Sequence, residues 1–258
     1  MTGWEMAAVA AAGFAAGGIN AVVGSGTLVS FPVLLAVGLP PVPATISNSL
    51  GLIAGNLSGS IGYRRELRGQ RRLLLRLLPA SVLGALTGAF LLLHLPASTF
   101  EAVVPVLVGI AVLLVALQPL VQRRLPTRPH DGTAPPVRGG RLAALFLGAY
   151  ATGTYGGYFA ASQGVLQIGI FGFLLRESLQ RLNALKNVLT LAVNTVAAGT
   201  YVVVATDRVD WVAAGLLAVG SLVGGAVSAR YGRRLPAPVL RTAIIVLGIV
   251  AIVVLVTR

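Results

Sequence analysis

The chain has 258 residues, of which 56% are hydrophobic and only 10% charged, against about a quarter charged in ordinary globular domains. A water-soluble fold of this length cannot hide so much apolar surface, and the residues carrying it are mostly Ala, Val, Leu, Ile and Gly, the vocabulary of closely packed membrane helices. The net charge of +13 does not point to nucleic acid, because the arginines stand in short loops between apolar runs, where membrane topology places them; the absence of cysteine excludes disulfides, thiolate metal sites and cysteine nucleophiles.

The first apolar stretch, 6–38, follows an N-terminus that carries Glu5 and no positively charged region, so it reads as a membrane segment and not as a cleaved leader. It is too long for one span of about 20 residues and is broken by Gly24-Ser25-Gly26. Single spans are expected over 45–63, 73–94 and 98–120. A linker at 123–140, rich in Pro, Gly and Arg, then separates a second set: a broken stretch at 142–175, interrupted by Gly153-Thr154-Tyr155-Gly156-Gly157, and spans at 180–204, 210–229 and 237–256.

Each broken stretch is either a single kinked pass or a hairpin that turns back inside the membrane, and the arginines discriminate between these. With hairpins, Arg64, Arg65, Arg68, Arg71, Arg72, Arg76, Arg123, Arg124, Arg128, Arg138, Arg141, Arg176, Arg181, Arg230, Arg233, Arg234 and Arg241 all face one side, seventeen of the nineteen arginines, leaving Arg208 and Arg258 opposite. With single passes the split falls to thirteen against six. The positive-inside rule favours the hairpins.

The expected fold class is therefore all-α: a polytopic helical membrane protein of two inverted repeats, 1–122 and 141–258, each of about five segments and each opened by a hairpin. Both termini lie outside and the linker lies in the cytoplasm. The opening segments, GFAAGGINAVVGSGTLVSFPVLL from Gly13 and GAYATGTYGGYFAASQGVLQIGI from Gly148, match in pattern though not letter by letter. Secondary transporters built this way hold substrate near the bilayer midplane.

Where a helix breaks, backbone N–H groups lose their partners and the new half-helix turns a positive dipole end inward, an arrangement suited to anions. Ser25, Thr27 and Ser30 surround the first break; Thr152, Thr154, Tyr155, Ser162 and Gln163 surround the second. The alternative is that these glycines only permit close packing. The helix after each hairpin carries a polar stripe at about 100° per residue: Thr45, Asn48, Ser49, Asn56 and Ser60 in the first, Asn183, Lys186, Asn187, Thr190 and Asn194 in the second. The alternative for their amides and hydroxyls is interhelical hydrogen bonding, which weighs equally with a site role at Asn56 and Ser60.

Lys186 is the only lysine and stands about two turns inside an apolar helix, where a cation is costly unless paired or solvated. Every acid lies in a loop or at a helix end, so a substrate anion is the candidate partner; otherwise the side chain snorkels to the basic surface. No Asp or Glu is placed at depth, and His94 and His130 lie at a helix end and in the linker, which argues against a buried proton relay and against cation transport. No metal-ligand cluster, Ser/His/Asp set or phosphate loop suggests an enzyme, and no cofactor is implied.

The run AGGINAVVGSGTLVSFPVLLAVGLPPVPATISNSLG, with Pro32, the Gly38-Leu39-Pro40 turn and Asn48, resembles the first half of the sulfite exporter TauE/SafE family, and GAYATGTYGGYFAASQG with ALKN resembles its second repeat. The resemblance covers nearly the whole chain. It implies export across the cytoplasmic membrane of a small sulfur-containing anion such as sulfite or an organosulfonate, with the two tips, Asn48 and Lys186 lining the site. The candidate substrate-binding set is Asn20, Gly24, Ser25, Gly26, Thr27, Asn48, Ser49, Tyr155, Gly156, Gly157, Ser162, Gln163, Lys186, Asn187 and Thr190. Ser25 and Thr27 stand where many members have glycines, and Ser49 where a lysine often follows the asparagine. The expected partners are a small anion and the lipid bilayer. Alternating access is the first mechanism; a passive anion channel using the same groups as a fixed filter is the alternative.

Overall fold

The computed structural model describes residues 1–124, 139–175 and 177–231, together with Thr242, Ile245, Val246, Ile249 and Ile252. Apart from those five positions the expected span at 237–256 lies outside the described residues, as does most of the expected linker at 123–140. The helices are α1 (Gly3–Val22), α2 (Thr27–Ala36), α3 (Pro41–Gly62), α4 (Arg71–His94), α5 (Ala97–Arg124), α6 (Gly140–Tyr158), α7 (Gln163–Leu175), α8 (Leu179–Val204) and α9 (Trp211–Tyr231), with a 3-10 turn at Thr206–Arg208 between the last two. Among the described residues α1, α4, α5, α8 and α9 are long and apolar enough to cross a membrane, whereas α2 and α7 are shorter apolar helices. α3 has the length but carries Thr45, Ser47, Asn48, Ser49, Asn56, Ser58 and Ser60 along it.

Local chemistry sets the ends of these elements. Thr2 and Glu5 form a capping box on α1: the Thr2 amide donates to Glu5 Oε2 at 2.6 Å and the Glu5 amide to Thr2 Oγ1 at 3.4 Å, which starts the helix ahead of the apolar run. Pro41 opens α3, four residues earlier than the hydropathy pattern suggests, because proline's fixed φ and missing N–H suit a first helical position. α2 closes on Gly38, at φ +93°, with the Leu39 amide donating to Leu34 O at 3.1 Å and the Gly38 amide to Leu35 O at 3.0 Å, the paired bonds of a Schellman ending.

Packing relates the two halves of the chain crosswise. α1 packs most extensively on α9, and α4 on α6, so the first helix of each half rests on the fourth helix of the other. Glycines line both crossings. A Cβ at Gly13 or Gly17 would collide with the backbone of Leu217 or Ser221, and one at Gly220 or Gly224 with Ala10 or Phe14. At the other crossing Gly84 and Gly88 sit against Tyr150 and Thr154, while Gly153 and Gly157 sit against Ser81 and Ala85. Small residues at such spacing let helix backbones touch, so dispersion and interhelical bonds replace the hydrophobic drive that lipid does not supply. The Ser221 hydroxyl exploits this closeness: it accepts from the Gly55 amide at 3.1 Å and donates to Gly51 O at 2.8 Å, fastening α9 to α3.

The hairpin helices sit inside this frame, where Phe31 of α2 meets Phe159, just beyond α6, edge to face at a centroid distance of 5.1 Å, and Phe100 of α5 backs Phe159 at 6.1 Å. Large apolar side chains point outward on the peripheral faces, among them Leu83, Phe90, Val106, Leu113, Leu147 and Val219. An apolar exterior over a core that holds polar groups is the arrangement of a helical protein in lipid.

Candidate substrate site

Both hairpins turn through a left-handed residue. α1 ends at Gly24, φ +92°, whose amide reaches back to Ile19 O at 3.0 Å; α6 ends at Ala160, φ +63°, whose amide reaches Tyr155 O at 3.2 Å. Ser162, also at φ +63°, is a second non-glycine residue in this sparsely populated region, where strain is held by the surrounding structure. The two tips touch. The Gly164 amide donates to Gly24 O at 3.1 Å, and a Cβ on either glycine would stand 2.6 Å from the other's Cα. Glycine is required here by approach, and at Gly24 by conformation as well.

Several tip amides already have partners. The Gly26 amide donates to Asn20 Oδ1 at 2.7 Å, Leu28 to Ser25 O at 3.1 Å, and Val165 and Leu166 to Ser162 O at 3.0 and 3.2 Å. The polar side chains therefore carry much of the tips' remaining hydrogen-bonding capacity.

Lys186 of α8 enters at the meeting point. It is 1% exposed; its ammonium donates to Asn20 O at 2.8 Å, and its stem packs on Gly164. Next to it Asn187 Nδ2 donates to Ala21 O at 3.3 Å. The pair thus caps the last carbonyls of α1, a favourable place for a cation on helix-dipole grounds. An ammonium has three donors, and no further partner of Lys186 is found among the described residues. The described acids, Glu5, Glu66, Glu101, Glu177, Asp207 and Asp210, lie in loops or near helix ends.

The other expected site residues divide. Asn20, Gly24, Gln163, Lys186 and Asn187 converge at the tips, and Thr190, a turn beyond Lys186, donates to Gln167 Oε1 of α7 at 3.1 Å. Gly26 packs on the α1 backbone at Ala16, and Ser25 is fully buried with its hydroxyl unpartnered. Asn48 turns to α2, donating to Thr27 Oγ1 at 3.1 Å and accepting from Ser30 Oγ at 2.5 Å, a closed set within the first half. Ser49 is buried on the same helix. Gly156 lies under the Gln163 side chain, Tyr155 has a buried hydroxyl without a partner, and Ser162 Oγ donates to Ala111 O of α5 at 3.3 Å. Gly157 packs on α4 and its carbonyl accepts from the Tyr201 hydroxyl.

Two residues of the convergence are missing from the sequence-based set. Gly164 reads there as one more helix glycine, and Gln167 is lost within the apolar run VLQIGIFGFLL, although its place four residues after Gln163 puts both amides on one helix face.

The sulfite exporter TauE/SafE profile matches residues 9–255. The chain belongs to the sulfite exporter TauE/SafE family. As a TauE/SafE family membrane transporter it is similar to a probable membrane transporter protein of Sinorhizobium sp, 25% identical over 92% of this chain and 87% of the relative. It is likewise similar to a probable membrane transporter protein of Haemophilus influenzae, 25% identical over 84% and 81% of the two chains. The probable membrane transporter protein YfcA of Escherichia coli is 27% identical over 85% of this TauE/SafE chain and 76% of its own length. No solved structure matches.

Proposed function

We propose that this TauE/SafE protein is a secondary transporter that exports a small sulfur-containing oxyanion, sulfite or an organosulfonate, across the cytoplasmic membrane. One observation carries the reading: Lys186 is buried at the point where the two hairpin tips meet, without a carboxylate partner among the described residues. A cation so placed is stabilised by carbonyl dipoles on one side and by a bound anion on the other. The crosswise glycine contacts of α1 with α9 and of α4 with α6 support two inverted repeats, the architecture in which one half rocks against the other around a central site. The Gly24–Gly164 contact favours alternating access over a permanently open filter, because backbone in contact leaves no channel between the tips. The basic loop Arg64–Arg72 faces the cytoplasm in this reading, with both termini outside.

The test is counterflow of labelled sulfite into proteoliposomes preloaded with sulfur oxyanions, comparing the unmodified protein with Lys186→Ala. Saturable exchange in the former, reduced at least tenfold in the variant, is expected. Equal exchange in both would remove the lysine from the site; no exchange of any anion by the unmodified protein would overturn the proposal.

A further inference from the structure

The two hairpins are unequal in what they leave unsatisfied. In the first, Thr27 and Ser30 of α2 are tied to Asn48, and the Asn20 side chain caps the Gly26 amide. In the second, Gln163 and Gln167 are 1% and 0% exposed, and both amide atoms of Gln163 and the nitrogen of Gln167 lack any partner. Buried amides are nearly always satisfied, so orphaned donors one turn apart on one helix face call for an occupant. Gln163 opens α7, so its side chain also shares the positive end of that helix dipole. Gln167 is not free to turn. In the structure Thr190 Oγ1 donates to its Oε1 at 3.1 Å, and an amide's oxygen accepts while its nitrogen donates, so the NH2 group is the unused end. Thr190 follows Lys186 by one turn of α8, and the Lys186 stem packs on Gly164, the residue after Gln163.

From this geometry we infer that Gln163 and Gln167 are the oxyanion-selecting groups of the site, with Thr190 as the positioning residue that keeps the Gln167 nitrogen facing the anion. The inference rests on the transport reading above and deepens it. Lys186 supplies charge, which a halide satisfies as well as a sulfonate does. Two neutral amide donors about 5–6 Å apart at Cβ are suited to an anion presenting several acceptor oxygens. The selectivity therefore comes chiefly from the second half of the chain, through α7, while the first half supplies a tip whose polar groups, Ser25 apart, are committed to one another.

The experiment is calorimetric titration of the purified full-length protein in detergent with sulfite, with methanesulfonate and with chloride, for the unmodified protein and for Gln167→Leu, Gln167→Glu, Thr190→Val and Lys186→Ala. Gln167→Glu keeps size and shape but replaces the donor by a carboxylate oxygen, and the thermal midpoint of each variant separates loss of fold from loss of binding. The inference expects Gln167→Leu to raise the sulfite and methanesulfonate Kd at least tenfold and chloride Kd much less, and Gln167→Glu, which adds a negative charge, to raise all three. It expects Thr190→Val to lower the oxyanion-to-chloride preference several-fold. If these variants keep the unmodified preference while Lys186→Ala abolishes binding, the amides are packing groups and the inference falls while the transport site stands. If the unmodified protein binds none of the three anions, both readings fall together.

Discussion

Asn20 shows how much one side chain can do at a helix break. Its Oδ1 accepts from the Gly26 amide at the start of α2, while its main-chain carbonyl accepts from Lys186. Asn20→Ala removes only the first bond and leaves a buried N–H without a partner, which costs about 1–3 kcal/mol. A corresponding fall in the thermal midpoint of the purified protein is expected, with sulfite affinity changed far less than in Lys186→Ala; an unchanged midpoint would mean that water replaces the cap. Lys186 was legible as a site candidate because a lone cation in an apolar helix is conspicuous in any sequence. Its bond to Asn20 O was not, since a main-chain carbonyl carries no residue-type signal and becomes available only where α1 ends.

At the scale of elements, the breaks were legible and their closure was not. Gly24-Ser25-Gly26 marked the first turn, and the glycine-rich stretch around Gly156 marked the second. The second helix nevertheless continues to Tyr158, and the turn falls on Ala160 and Ser162, residues that ordinarily avoid positive φ. Two glycines at positive φ separate conformation from contact. A Cβ at Gly38, φ +93°, would meet nothing within 4 Å, whereas one at Gly24, φ +92°, would meet Gly164 at 2.6 Å. Gly38→Ala therefore meets only the left-handed backbone strain, about 1–2 kcal/mol, and sulfite counterflow should persist. Gly24→Ala must also part the hairpin tips, and counterflow should be lost even where the protein reaches the membrane. Equal behaviour of the two variants would show that tip contact is immaterial to transport. Gln167 escaped notice because the surrounding residues satisfy every pattern of a plain apolar helix; only its bond to Thr190 across to α8 distinguishes it.

For the whole molecule, the membrane class followed from composition, and the arginines led to the expected division into halves. The crosswise pairing of α1 with α9 and α4 with α6 was beyond reach, because small-residue spacing announces a contact face without naming its partner. The chain's lack of cysteine makes its orientation directly measurable. Arg65→Cys, in the exposed loop after α3, and Thr206→Cys, in the exposed turn after α8, should react with a membrane-impermeant maleimide from opposite sides of sealed cells and inverted vesicles. Labelling of both from one side would exclude the proposed arrangement of inverted halves.

The same pairing bears on how the protein comes into being. α1 is made before α9, yet the glycine face it must cover is matched by Leu217 and Ser221, which leave the ribosome only after all the intervening helices. Until then that face meets lipid or a passing neighbour. α4 waits in the same way for α6. Neither half holds its own fourth-helix partner, so insertion of the separate helices and their final docking are distinct events, the second of which awaits the arrival of α9.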